Sequence, residues 1–105
     1  RSEKQRWDEL IKLICIGFLG FEVNIKMLLI DFEEDDEIRF LTNLFNSNLK
    51  KSKILNTSSI DEAFNEKEFL LCIKSSISSK NKLELIYQNI VNQNKKIKKI
   101  IFIDN

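Results

Sequence analysis

At 105 residues, with 43% hydrophobic and 31% charged residues and a net charge of +1, the chain has the composition of one soluble globular domain, and it lacks the strong basicity of an obvious nucleic-acid binder. It contains no histidine, which excludes Ser-His-Asp and Cys-His nucleophile systems and any histidine-ligated zinc. Any catalysis falls to carboxylates, Lys, Ser, Cys or Tyr.

The charge is segregated. Asp31–Glu37 carries six acids in seven residues, while Lys50, Lys51 and Lys53, and then Lys95, Lys96, Lys98 and Lys99, form basic clusters. Such runs most simply keep a surface wet. Cys15 and Cys72 sit among aliphatic neighbours and read as buried, reduced thiols, which points to an intracellular, cytoplasmic setting. The longest apolar run near the start, Leu13–Phe21, is nine residues, well short of the about 20 a membrane span takes. The chain opens at Arg1 rather than Met, so residues 1–105 are expected to be a single domain trimmed from a longer protein.

In chain order, Trp7, Leu10, Ile11, Ile14 and Phe18 recur at spacings of three and four, which predicts an amphipathic helix over residues 3–19. Leu13 and Ile16 suggest that a second face is buried as well. Gly17 and Gly20 point to its end, with Gly20 suited to positive φ. Phe21, Val23, Ile25 and Met27 then alternate with polar residues, and Leu28–Ile30 extends them as a buried run, so a strand is predicted. The acids Glu33–Glu37 precede Ile38, Leu41, Leu44 and Phe45, the pattern of a helix whose first turn is stabilised by its dipole. Residues 46–59 read as a polar connection.

Ile60–Lys74 admits two readings. Ser59 and Glu62 fit a helix capping box, but Phe69–Ile73 is a short apolar run of the kind found in central strands. Strand–turn–strand about Asn65-Glu66-Lys67 is the favoured reading. Leu83, Ile86, Ile90 and Ile97 carry a further helical stripe with Ser79 or Asn81 near its cap, and Ile100–Ile103 reads as a last buried strand. The expected fold is therefore α/β, a small mixed sheet flanked by helices, in the order helix, strand, helix, strand, strand, helix, strand.

With these residues placed, the chain resembles the PD-(D/E)XK superfamily, in particular its restriction-endonuclease-like branch of Mrr type and the archaeal Holliday-junction resolvases. WDELIKLICIGFLGFEV is similar to their first helix and strand, SIDEAFNEKEFLLCIKSS to their central hairpin, and KLELIYQNIVNQNKKIKKIIFID to the helix and strand that follow. The resemblance implies a nucleic-acid-processing domain, either a Mg²⁺- or Mn²⁺-dependent phosphodiesterase or a degenerate binding relative. It makes Asp61 the first carboxylate and Lys74 the lysine that orients the attacking water. The second carboxylate is expected at position 72, where the sequence has Cys72, a poor ligand for a hard cation. Glu84, or Glu9 or Asp8 from the first helix, would then complete the metal site. Lys74, Lys80, Lys82, Lys95 and Lys96 would contact the phosphates of DNA or RNA. The competing expectation is a non-enzymatic module, an all-helical bundle whose apolar surface and acidic run engage a protein partner.

Overall fold

The computed structural model describes residues 2–17, 24–74 and 79–103, which form α1 (Glu3–Ile16), β1 (Asn24–Ile30), α2 (Asp35–Asn48), β2 (Lys53–Thr57), α3 (Ile60–Phe64), β3 (Glu68–Lys74), α4 (Ser79–Asn92) and β4 (Lys96–Ile103). Two compact units contain them: Arg1–Ile25 with Glu33–Leu55, and Lys26–Phe32 with Asn56–Asn105.

In the first unit, α1 starts at a reciprocal capping box. Ser2 Oγ accepts the Gln5 backbone N–H at 3.2 Å, and Gln5 Oε1 accepts that of Ser2 at 2.9 Å. The helix buries Trp7, Ile11, Ile14 and Cys15. Leu13 and Ile16, expected to be buried as well, are 69% and 64% exposed. At 100° per residue they project from the side opposite Ile11 and Trp7. The helix ends at Ile16 with Gly17 in ordinary right-handed geometry, and the expected roles of Gly20, Phe21 and Val23 lie outside the described residues. α2 opens on Asp35, Asp36 and Glu37, which occupy its first turn as the dipole favours. It buries Leu41 and Phe45. Trp7 and Phe40 meet at 6.0 Å between ring centroids, and the Cys15 thiol points at the Phe45 carbonyl, 3.9 Å away.

The sheet order is β2-β1-β3-β4, with β1 parallel to β3 and β3 parallel to β4. β3 is central. Its registers run from Met27↔Leu70 to Ile30↔Ile73 on one side, and from Glu68↔Lys96 to Lys74↔Ile103 on the other. A strand hydrogen-bonded on both sides and covered on both faces needs no alternation, which is why Phe69–Ile73 is uniformly apolar and fully buried. The β3–β4 register shifts at Phe69/Leu70, where Lys98 is the extra residue of a bulge.

Three expectations are corrected here. The favoured antiparallel hairpin does not form. Ile60–Phe64 is a short helix capped by Ser59, whose Oγ accepts the Glu62 N–H at 3.2 Å, and Glu68–Lys74 is a strand with parallel neighbours. The segment read as a connection contains β2, tied to α2 by the Asn46 side-chain carbonyl, which accepts the Ile54 N–H at 2.8 Å. The sheet also rules out the all-helical bundle. The order of elements is thus helix and strand in strict alternation, and the hairpin that carried the resemblance to restriction-endonuclease-like proteins is not formed.

The second unit holds the core built by Leu28, Ile30, Phe64, Phe69, Leu71, Ile73, Ile86 and Ile90. α4 crosses over between β3 and β4. It closes with Asn94 at φ 54° and the Lys95 N–H on the Ile90 carbonyl at 3.0 Å, a left-handed cap that turns the chain into β4.

Candidate functional site

Asp61 lies exposed in the first turn of α3, while Lys74 ends β3, half-buried. The neighbouring Glu62 fixes the level of α3. Its carboxylate pairs with Lys26 at 3.0 Å, and the next residue of β1, Met27, is in register with Leu70. Lys74 stands roughly 16 Å farther along β3 than Phe69, a gap no single side chain bridges. The hairpin expected to set the pair at one edge is replaced by α3 followed by β3.

Glu84 sits exposed on α4 and Glu9 exposed on α1, in the other unit. Among the described residues no group of three or more His, Cys, Asp or Glu is placed to hold a metal ion. Cys72 is fully buried at the centre of the sheet, and burial pushes its thiol up to about 12. Cys15 is held at about 11 for the same reason, so neither is a poised nucleophile.

The expected phosphate contacts divide as well. Lys74, Lys80 and Lys82 gather where β3 ends and α4 begins, and Lys95 and Lys96 stand where α4 ends and β4 begins. The fourteen residues of α4 put roughly 20 Å between the two groups. Lys82 is already engaged with Asp31, which follows β1 at φ 67°. The strand order reverses between β1 and β3, the position at which open α/β sheets have a crevice at their carboxyl ends. Here that position is flanked by Asp31, whose carboxylate is engaged with Lys82, and by Lys74 at the end of β3.

Glu62 is the other organised polar centre. Thr57 donates its hydroxyl to Glu62 Oε2 at 2.7 Å, and Thr57 Oγ1 accepts the Ser59 N–H at 3.1 Å, so β2, α3 and Lys26 of β1 are tied through one carboxylate. The Thr57 hydrogen bond, then the bond and charge of Lys26, hold the Glu62 carboxyl below its ordinary value. A depressed folded-state pKa contributes stability above the unfolded-state value and loses it as pH falls through the folded one. Acid titration of the melting temperature should therefore show a loss below about pH 4.5 that Glu62→Gln flattens; identical acid profiles for the two proteins would remove Glu62 from this role.

The least expected feature is apolar. On α4, Tyr87 and Val91 are 63% and 62% exposed on the flank beside Leu83, and on β4 Ile100 and Phe102 are 41% and 55% exposed. Their partners in β3, Leu71 and Ile73, belong to the core that α4 covers, so Ile100 and Phe102 point to the α4 side of the sheet. Leu83, Glu84, Tyr87, Gln88, Ile97 and Ile100 line a shallow recess of about 340 Å³ between the helix and the strand. Tyr87 and Val91, four residues apart and off the core stripe, were the sequence signal for this face, but their exposure depends on where β4 ends the sheet.

Together these features define a small parallel α/β domain with an uncovered apolar flank. No family profile, curated protein or solved structure matches this chain. No helix among the described residues is long and apolar enough to cross a membrane.

Proposed function

We propose that this chain is a non-enzymatic interaction module that engages another protein through the flank formed by α4 and β4. The observation that carries the reading is the continuity of that surface: Tyr87 and Val91 are one helical turn apart, and Ile100 and Phe102 lie on one face of the adjoining strand, beside an apolar recess. Apolar side chains in water offer nothing to the stability of the free domain, whereas covering them releases roughly 25 cal/mol per Å². An intracellular setting suits the two cysteines, which are free, buried thiols.

The experiment compares the native chain with Tyr87→Ser/Phe102→Ser. Both should melt alike, because the substituted side chains are exposed, but only the native chain should retain a defined partner by chemical crosslinking in its source cells, reproduced with purified components. Divalent-metal-dependent cleavage of DNA or RNA that disappears in Asp61→Ala and Lys74→Ala would overturn the proposal in favour of a nuclease.

A further inference from the structure

Building on that interaction surface, we infer that its occupant is an extended segment of another protein, alternating acidic and apolar residues, which adds as a further strand along the outer edge of β4. β4 ends the strand order, and among the described residues no strand pairs with its outer edge. Natural sheets blunt such edges with charge, and β4 does so only in its first half, through Lys96, Lys98 and Lys99; Ile100–Ile103 has no charge. An edge left apolar and open is a pairing template that a folded chain keeps covered.

The register specifies what would pair there. Lys96 and Lys99 align with Glu68 and Leu70 of β3, and both therefore point to the face opposite Ile97, which aligns with Phe69. Beyond the bulge, Ile100 and Phe102 continue the Ile97 side. The edge thus offers apolar groups and a recess on the α4 face, and on the other face the exposed ammonium groups of Lys96 and Lys99 in its first half, followed by the buried Ile101 and Ile103. A strand whose successive side chains are apolar and acidic matches both faces at once, the apolar ones entering the recess and the acidic ones meeting Lys96 and Lys99. Lys98 is paired to Glu68 at 3.5 Å. A second copy is the poorer match: two-fold antiparallel pairing over the whole of β4 sets Lys96 opposite Ile103 and Lys99 opposite Ile100, which leaves both ammonium groups without a counter-charge.

The test uses the 105-residue chain and a fluorescein-labelled octapeptide, four repeats of Glu-Ile, with four repeats of Lys-Ile as its counterpart. The acidic peptide should bind at low salt, at least about tenfold more tightly than the basic one, and protect the amides of β4 from hydrogen exchange. Lys96→Glu/Lys99→Glu should reverse the preference, and Lys96→Gln/Lys99→Gln should abolish it. Absence of binding, or equal binding of both peptides, overturns the inference. Binding that is lost in Tyr87→Ser but insensitive to the lysines, without β4 protection, overturns strand addition while leaving the interaction surface standing. Concentration-dependent dimers with protected β4 amides would assign the edge to a second copy instead.

Discussion

Cys72→Glu, the substitution that completes the carboxylate pair expected of a metal-dependent nuclease, is expected to unfold the domain rather than to create an active site. Cys72 has no exposed surface and stands in the central strand between Leu29 of β1 and Ile101 of β4. Burial already pushes its thiol up to about 12, and the same desolvation would act on a carboxylate. Keeping the new carboxyl neutral at pH 7 costs about 4 kcal/mol, from a reference value near 4.3 and about 1.4 kcal/mol per pH unit. The larger side chain adds overpacking of about 1–3 kcal/mol. Against a total stability of about 5–15 kcal/mol, the loss is decisive. Circular dichroism should show a melting temperature lower by roughly 15 °C or more, partly restored as the pH falls toward 4 and the carboxyl becomes neutral without penalty. Cys72→Ala, which adds no charge, should cost only about 1 kcal/mol. A Cys72→Glu protein that melts like the native one and cleaves nucleic acid with Mg²⁺ would refute the assignment of Cys72 to the core.

Phe69→Ala should be the most damaging truncation in the second unit, at about 3–5 kcal/mol by urea denaturation. Phe69 is fully buried, and its ring meets that of Phe64 at 5.5 Å between centroids with a 36° tilt. It thus locks α3 onto the strand that all of the second unit's core surrounds. Removing the ring leaves a cavity that a central strand, bonded on both sides, cannot close by moving. Phe102→Ala supplies the contrast. Its side chain is more than half exposed, and the loss should stay within about 0.5 kcal/mol. Comparable costs at the two positions would mean that Phe102 is covered in the isolated chain, and the proposed interaction surface would fall with that result.

Much of the fold was legible locally. The stripe Trp7, Ile11 and Ile14 marked α1, the alternation through Ile25 and Met27 marked β1, and Leu83, Ile86 and Ile90 marked α4, because each repeats long enough to register a period. α3 failed that test, since five residues barely exceed one turn. Ser59 with Glu62 was a signal for it, and half of that signal is used: Ser59 caps the helix, while the Glu62 carboxylate turns to Thr57 and Lys26. β2 was hidden because only Ile54 and Thr57 of its five residues are buried, too few to show alternation. Ile97, read as the end of a helix, belongs to β4, since Asn94 in left-handed geometry stops α4 at Asn92.

The expected site was less legible than the fold, and Asp61 and Lys74 show why. Thirteen positions apart, they were expected to meet through a hairpin, and the chain between them is instead a helix followed by a parallel strand. The sequence by itself determined an α/β chain with buried thiols and segregated charge, because side-chain period and solvation are local properties of neighbouring residues. Only the tertiary structure decided that β3 is central and β4 lies at the edge, since strand order is chosen by crossovers and by which faces are covered, and those choices left Tyr87, Val91, Ile100 and Phe102 in water.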